Sequence, residues 1–291
     1  MKNRIEKNIS RTAEMTCSLR AASFFETDPG YHSDDYIAPV LLPKWILPVV
    51  KSKTARKLAM QFFTPEGIYE YVIARTRYFD EITAKALAGR FEQILILGAG
   101  FDTRAVRFGK VSESAVFFEL DAWHTQNAKT GQYKKRNIHI PESLVFIPVN
   151  FNNESIRDKL DAYEFDKNKK SLFLLEGLLM YLDENAVIDV FNMITDFSVT
   201  GSWVICDFIY KSVLRKEKRY FGEPDIYQRV NKYGEAWKFG IEDDEITGYF
   251  QKMGFQVLDI FNSKKLEKKY FSNDSADLIN GTHAIAWLEV V

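Results

Sequence analysis

The segment ILILGAGFDTR, 94–104, runs an apolar stretch into Gly98-Ala99-Gly100 and then into a helix start. Glycines let a backbone turn tightly and approach a ligand closely. A helix beginning just behind them presents free N–H groups to a carboxylate or phosphate. A bare glycine pair also occurs in plain turns, so its place after the first buried strand matters. A nicotinamide dinucleotide fingerprint asks for a third glycine at position 103, where Thr103 stands behind Asp102. A carboxylate at the phosphate seat repels a pyrophosphate. The residues therefore favour a nucleoside ligand without phosphates, such as S-adenosylmethionine.

Two acidic motifs follow. FFELDA, 117–122, carries Glu119 and Asp121 at the end of the second apolar run, roughly twenty residues after Gly98. An acid there accepts hydrogen bonds from both ribose hydroxyls, and Asp121 is nearer the carboxyl edge where ligands bind. LFLLEGLLMYL, 172–182, ends its apolar run on Glu176. A carboxylate in that position is costly to bury without a partner. Its partner is either a ligand cation or a nearby arginine, and the sequence leaves both open. Tyr181, a few residues on, either hydrogen-bonds an acceptor oxygen or packs at a helix start.

Short apolar runs must position these groups. QILIL at 93–97, AVFFEL at 115–120, LVFIPV at 144–149, SLFLL at 171–175 and SWVICDF at 202–208 are nearly continuous in apolar residues. That is the pattern of strands buried on both faces. FQVLDIF at 255–261 and HAIAWLEV at 283–290 add two more. Helical patterns intervene, as in 183–197 with Asp183 as cap, which predicts an α/β, doubly wound parallel sheet with right-handed crossovers. Residues 10–90 show no strand alternation. Within them, 66–88 repeats apolar residues at helical spacing, with Thr64 as cap, Pro65 in the first turn and Gly89 at the end. Residues 211–241 are too long for a plain connection and read as a lid or binding loop. Tyr220, Phe221, Tyr227, Tyr233, Trp237 and Phe239 predict that it packs.

Composition excludes several classes. The 291 residues hold 39 Lys plus Arg against 40 Asp plus Glu, a net charge of −1, with 46% hydrophobic residues. Disorder needs the opposite balance, and no field is left over to hold a nucleic acid. Cys17 and Cys206 cannot build a disulfide framework or a multi-thiolate metal site, and they fit a reducing compartment. MKNRIEKNISRTAEM lacks the apolar core of a secretory signal. The apolar stretch from Tyr36 to Val50 is too short to span a bilayer and is broken by three prolines and Lys44. A soluble, cytoplasmic protein that binds no metal, nucleic acid or membrane is expected.

Taken together, the motifs resemble the leucine carboxyl methyltransferase family of S-adenosylmethionine-dependent enzymes, which includes the tetracenomycin-type polyketide O-methyltransferases. ART at 74–76, LGAGFDTR with Arg107 following, FELD at 118–121, LEGLLMYL at 175–182 and IEDDEITGYFQKMGF at 241–255 carry the resemblance. It spans residues 12–291. It implies a class I methyltransferase (Rossmann-like) fold: a seven-stranded doubly wound sheet with the last strand antiparallel. It also implies an N-terminal helical cap over 1–91, integral to the domain, and a core over 92–291 with a lid inserted at 211–241. By this resemblance Arg75 holds the methionine carboxylate, and Gly98, with Gly100 in the same turn, lies under the methionine moiety. Asp121 binds the ribose, and Glu176 lies near the methionine end. Asn150 and Phe151 fall at the adenine edge, where the family often has Asp-Leu, so Asn150 is a departure. Arg20 matches a basic residue of the front helix that reaches the cofactor.

Methyl transfer from a sulfonium is an in-line displacement in which the protein supplies alignment and desolvation. A carboxylate acceptor is ionised at neutral pH and needs no base, whereas a hydroxyl benefits from one. None of His32, His124, His139 and His283 falls at the expected reacting centre. Carboxyl methylation of a small, largely apolar acceptor is therefore favoured over hydroxyl methylation. The acceptor should sit between the helical front and 211–241, whose start (Lys211, Arg215, Lys216, Lys218, Arg219) is basic. Three other readings stand beside this one: methylation of a protein C-terminal carboxylate, nicotinamide-dependent oxidation, and a methyltransferase-like protein that binds without catalysis.

Overall fold

Five apolar runs become parallel strands because both of their faces are covered. A computed structural model describes residues 10–109, 115–151, 154–226, 229, 236–271 and 277–291. The parallel strands are β1 (Gln93–Leu97), β2 (Val116–Asp121), β3 (Leu144–Pro148), β4 (Ser171–Leu175) and β5 (Trp203–Ile209). β6 (Phe255–Phe261) and β7 (His283–Val290) complete one sheet of order β3-β2-β1-β4-β5-β7-β6. β7 runs antiparallel between β5 and β6. Each strand lies within one residue of its expected bounds.

Along β1, Ile94 and Ile96 enter one core cluster while Leu95 and Leu97 enter the other. This two-residue alternation needs apolar partners on both sides. On the first side stand α1 (Arg11–Phe24), α2 (Ala38–Leu41), α3 (Leu47–Lys51), α4 (Lys53–Phe63) and α5 (Ile68–Ala88). Val72, Phe79 and Ile82 of α5 pack there. Between the strands come α6 (Arg104–Phe108), α7 (Trp123–Lys135), α8 (Ile156–Ala162), α9 (Glu184–Asp196), α10 (Lys211–Leu214), α11 (Ile246–Lys252) and α12 (Ser263–Tyr270). Val187, Phe191 and Ile194 of α9 cover the second side. The chain winds outward from β1 to β3 and then returns to β4 beside β1, so a topological switch point opens between β1 and β4.

The helix expected over 66–88 starts later than its sequence signals. Thr64 terminates α4 rather than capping the next helix, and α5 begins after Gly67, at φ 72°. A Cβ at Gly67 would stand 2.4 Å from the backbone nitrogen of Asn280. The close approach of a distant loop, that before β7, therefore sets this boundary, which local signals do not carry. Asp183 does hold the N-cap position of α9, but its side chain caps nothing and pairs with Lys238 at 3.2 Å instead.

Segment 211–241 packs where it is described. Buried Glu223 accepts the backbone N–H groups of Lys218, Arg219 and Tyr220. Tyr220 stacks on Tyr210 with centroids 4.7 Å apart. Met180 O accepts the N–H of Lys238 at 2.7 Å. Tyr227 and Tyr233 lie outside the described residues. Cys17 and Cys206 are buried free thiols, and among the described residues no helix is long and apolar enough to cross a membrane.

Glu119 is not at the strand edge that carries Asp121. It is buried and pairs with Lys129 of α7 at 2.7 Å, both side chains 1% exposed. Burial pushes the Glu119 carboxyl up to about 7 against the pull of Lys129. The pair ties α7 to β2 beneath Asp121. Removing one member leaves an uncompensated buried charge, so Lys129→Met should cost about 3 kcal/mol of unfolding free energy in urea titration. A loss below about 1 kcal/mol would show that Glu119 goes neutral without penalty.

Candidate functional site

At the carboxyl ends of β1 to β4 the strand ends diverge around a cavity of about 880 Å³. That is near the top of the roughly 300–1,000 Å³ range of small-molecule sites. Arg20, Arg75, Gly98, Gly100 and Asp121 all line it, as do Asn150, Phe151, Glu176 and Tyr181. One fold feature thus gathers every site residue expected from the sequence.

The floor is the glycine turn. Gly98 and Gly100 adopt φ 66° and 49°. A Cβ on Gly98 would meet Leu178 at 3.0 Å, and one on Gly100 would meet Ala13 of α1 at 3.1 Å. The Gly100 N–H donates to Asp121 Oδ2, and the Ala122 N–H donates to Oδ1 at 2.5 Å. Asp121 is therefore aimed by the backbone of β1's turn and of its own strand end. Burial raises its pKa despite these two donors.

The helix N-terminus behind the turn is not free for a ligand. Asp102 Oδ1 accepts the Arg104 N–H at 2.7 Å, so the chain caps α6 with its own carboxylate. Asp102 also pairs with Arg104 Nη1. Burial opposes the charge on Asp102, but Arg104, Lys129 and Arg20 hold its pKa at about 2. A phosphate is thus kept out by an occupied anion seat as much as by repulsion.

Beneath the cavity the charges alternate in a continuous network. Arg20 of α1 bonds Asp35 at 2.9 Å and Phe101 O, in the glycine turn, at 2.6 Å. Asp35 also accepts from Thr103 Oγ1 at 2.7 Å and lies 3.6 Å from Arg107. Burial works against the Asp35 charge, yet Arg107 and Arg20 keep its pKa below the ordinary value. Arg107 and Arg104 share Asp80 of α5 at 2.7 Å each. Arg104 reaches Glu176 at 2.6 Å, and Glu176 lies 3.0 Å from Arg75 Nε. Arg75 Nη1 donates to Asp207 at 2.6 Å, and Tyr71, one turn earlier on α5, donates to Asp207 at 3.0 Å. Gly177 N–H donates to the other Asp207 oxygen at 2.5 Å.

Glu176 therefore has arginine partners, the blander of the two readings its sequence context allows. The contact is incomplete: Glu176 Oε1 and Arg75 Nε are both buried, and neither makes a hydrogen bond. Arg75 Nη2 also makes none among the described residues. Asp207 and Arg104 were not singled out by sequence reasoning. Asp207 is the lone acid inside the apolar run of β5, a signal like that of Glu176, and Arg104 stands within the quoted GAGFDTR. Nothing local marks Asp35 or Asp80.

Elsewhere around the wall, the Asn150 N–H donates to Glu154 at 2.7 Å, and Phe151 packs half-buried on the second core cluster. Tyr181 is half-buried and ends a 3₁₀ turn, Leu179–Tyr181. Two further points concern charge and histidines. The basic start of 211–241 does not face the cavity; Arg215 pairs with Glu217 and Glu242, and Arg219 with Glu217. And histidines are not absent from the site: His124 and His283 both line the cavity. Burial and the nearby Arg75 charge hold His283 at about 3, so its ring is neutral at pH 7. Among the described residues no cluster of three or more His, Cys, Asp or Glu is placed to hold a metal.

A family model described as leucine carboxyl methyltransferase matches residues 13–195. A protein of Bacillus subtilis (strain 168), provisionally named as the S-adenosyl-L-methionine-dependent methyltransferase YktD, is 24% identical over 294 residues. That alignment covers 94% of this chain and 95% of the relative. A Mycobacterium tuberculosis protein with the same provisional description is 31% identical over 215 residues, 69% of this chain and 63% of its own. A DUF574 family protein from Streptomyces avermitilis superposes with a TM-score of 0.56 over 94% of this chain and 97% of its own. Its sequence is 10% identical, so the likeness concerns the fold.

Arg104 is 2% exposed and holds three carboxylates at once. Arg104→Met should lower unfolding free energy by about 3–5 kcal/mol in urea titration, because Asp80, Asp102 and Glu176 lose their shared counter-charge in a dry layer. A change below about 1 kcal/mol would mean that water replaces the arginine at no cost.

Proposed function

The chain belongs to the leucine carboxyl methyltransferase family and is an S-adenosylmethionine-dependent methyltransferase; from that premise we propose that its acceptor is an oxygen of a small, largely apolar molecule. The observation that carries the cofactor half of this reading is a charge imbalance inside the network. Arg20, Arg75, Arg104 and Arg107 face Asp35, Asp80, Asp102, Glu176 and Asp207, four positive groups against five negative. S-adenosylmethionine carries one more positive than negative charge. Glu176 Oε1, paired with Arg75 Nε at 3.0 Å but without a hydrogen bond, offers that excess a buried acceptor.

The residues fit the cofactor in three further respects. Gly98 and Gly100 leave the floor open where a side chain would collide with Leu178 or Ala13. Asp121 is aimed by two backbone donors and keeps further lone pairs for ribose hydroxyls. Arg75 has an uncommitted Nη2 for the methionine carboxylate, an arginine's habitual work. Asn150 and Phe151 take the adenine edge, and Arg20 holds α1 against the turn that carries the cofactor. The bound cofactor supplies a methyl group already activated on sulfur; the chain's part is alignment and the exclusion of water.

The acceptor half of the cavity is walled by Ile68, Tyr71 and Val72 of α5 and by Ile226 and Trp237 of 211–241. This supports an apolar acceptor, with α1 to α5 as cap and 211–241 as lid, and Tyr181 placed to orient the acceptor. The acceptor oxygen is a carboxylate or a hydroxyl. Balanced charge argues against a nucleic-acid acceptor, and the two buried thiols favour a reducing, cytoplasmic location.

Calorimetry tests this. S-adenosylmethionine and its demethylated product should both bind, and Asp121→Ala or Glu176→Gln should weaken each by about tenfold or more. Adenosine alone should lose affinity with Asp121→Ala but not with Glu176→Gln, which maps the two ends. No binding of either cofactor form would end the proposal.

A further inference from the structure

His283 opens β7 and lines the cavity beside Tyr71 and Trp237, and its surroundings determine where its proton sits. Its ring stacks on Tyr71 with centroids 4.4 Å apart and 28° between planes, and meets Trp237 edge-on at 5.3 Å and 90°. Held between them, the imidazole is fixed in orientation. Nδ1 lies 2.8 Å from Thr282 Oγ1. Which of the two donates is decided one residue pair away. Asn280 Nδ2 donates to the backbone carbonyl of Glu66 at 2.9 Å, which sets the amide's orientation. Asn280 Oδ1 can then only accept, and it takes the Thr282 hydroxyl proton at 2.5 Å and the Thr282 N–H at 3.2 Å. With its single proton committed, Thr282 Oγ1 can only accept from His283. The ring is therefore the Nδ1–H tautomer, and Nε2 carries a lone pair that meets no hydrogen-bond donor among the described residues.

We propose that His283 Nε2 accepts the hydrogen bond of a protonated acceptor hydroxyl and takes its proton during methyl transfer, so that the acceptor is an alcohol or phenol rather than a carboxylate. This rests on the methyltransferase reading and narrows it. An ionised carboxylate has no proton to give and would set its own lone pairs against that of Nε2. The neutral ring adds no cation to attract one. In the step, the acceptor O–H bond breaks and its proton passes to Nε2. An oxygen electron pair forms the new O–CH₃ bond. The C–S bond breaks with its electrons left on sulfur as a neutral thioether. One positive charge thus leaves sulfur as another appears on the imidazole, which then releases its proton to water. Arg75 is the charged group that depresses the basicity of His283, and Tyr71 between them is a neutral phenol held protonated by burial and by Asp207. Loss of the sulfonium charge as the proton arrives relieves part of the repulsion a protonated ring would meet.

Nitrogen-15 NMR of the histidine-labelled protein reads the tautomer directly, and at pH 7 His283 should show the Nδ1–H pattern. With S-adenosylhomocysteine bound, 4-ethylphenol should shift the Nε2 resonance and 4-ethylbenzoate should not. Transfer of labelled methyl to 4-ethylphenol should fall about 10²-fold in His283→Gln. Calorimetric affinity for S-adenosylhomocysteine should stay within about threefold in the same variant, since the histidine acts on the acceptor. The loss should shrink for pentafluorophenol, which is already ionised at neutral pH and needs no base. Thr282→Val, which removes the acceptor for Nδ1–H, should mix the tautomers and serves if His283→Gln folds poorly. An Nε2–H tautomer, an Nε2 resonance unmoved by the phenol or moved by the benzoate, or near-wild-type transfer by His283→Gln overturns the proposal and leaves the methyltransferase reading intact. Failure of the wild-type protein to bind S-adenosylhomocysteine overturns that underlying reading as well.

Discussion

Four guanidinium groups and five carboxylates share one largely dry layer under the carboxyl ends of the strands. Charges in such a place are tolerated only when each finds a partner at short range, because desolvation costs several kcal/mol per ion. That requirement makes the layer a positioning device. α1 contributes Arg20, α5 contributes Arg75 and Asp80, α6 contributes Arg104 and Arg107, and β5 contributes Asp207. None of these elements can shift by an ångström without unpairing a buried charge. The glycine turn is caught in the same grip, through Phe101 O on Arg20 and the capping of α6 by Asp102.

The two halves of the cavity are coupled through that layer. Arg75 belongs to the buried charge network and, after burial, is the main influence on the His283 ring at the cavity wall. Tyr71 stands between them, donating to Asp207 while stacking on the imidazole. The single excess carboxylate makes the cofactor end receptive to a cation. Burial, with Arg75, keeps the His283 ring neutral. One arrangement of charge therefore reaches both the glycine turn and the aromatic wall, in dry surroundings where such effects are strong.

Much of the fold is legible in the sequence. Continuous apolar runs such as SLFLL identify strands buried on both faces, because only such strands can be apolar at every position. Gly98, Gly100, Asp121 and Glu176 stand at strand ends, and strand ends of a parallel series converge on a switch point whatever the side chains elsewhere do. What failed were readings that needed a non-local neighbour. Thr64 looks like a cap until the backbone near Asn280 forces the turn at Gly67. The N-terminus of α6 looks free until Asp102 folds back on it.

His283 marks the boundary most sharply. Its position at the start of the last strand is plain in the sequence, and nothing there connects it to a reacting centre. β7 inserts antiparallel beside β5, and that placement alone brings residue 283 onto the cavity wall beside residue 71. The amino-acid order by itself determined the strands, the glycine turn and the acids at the strand ends, since these follow from periodicity and from the chemistry of neighbouring residues. The tertiary structure alone decided which charges pair, which histidines line the cavity and what each ring nitrogen of His283 meets. Those outcomes depend on contacts between residues far apart in the chain, whose energies no local pattern encodes.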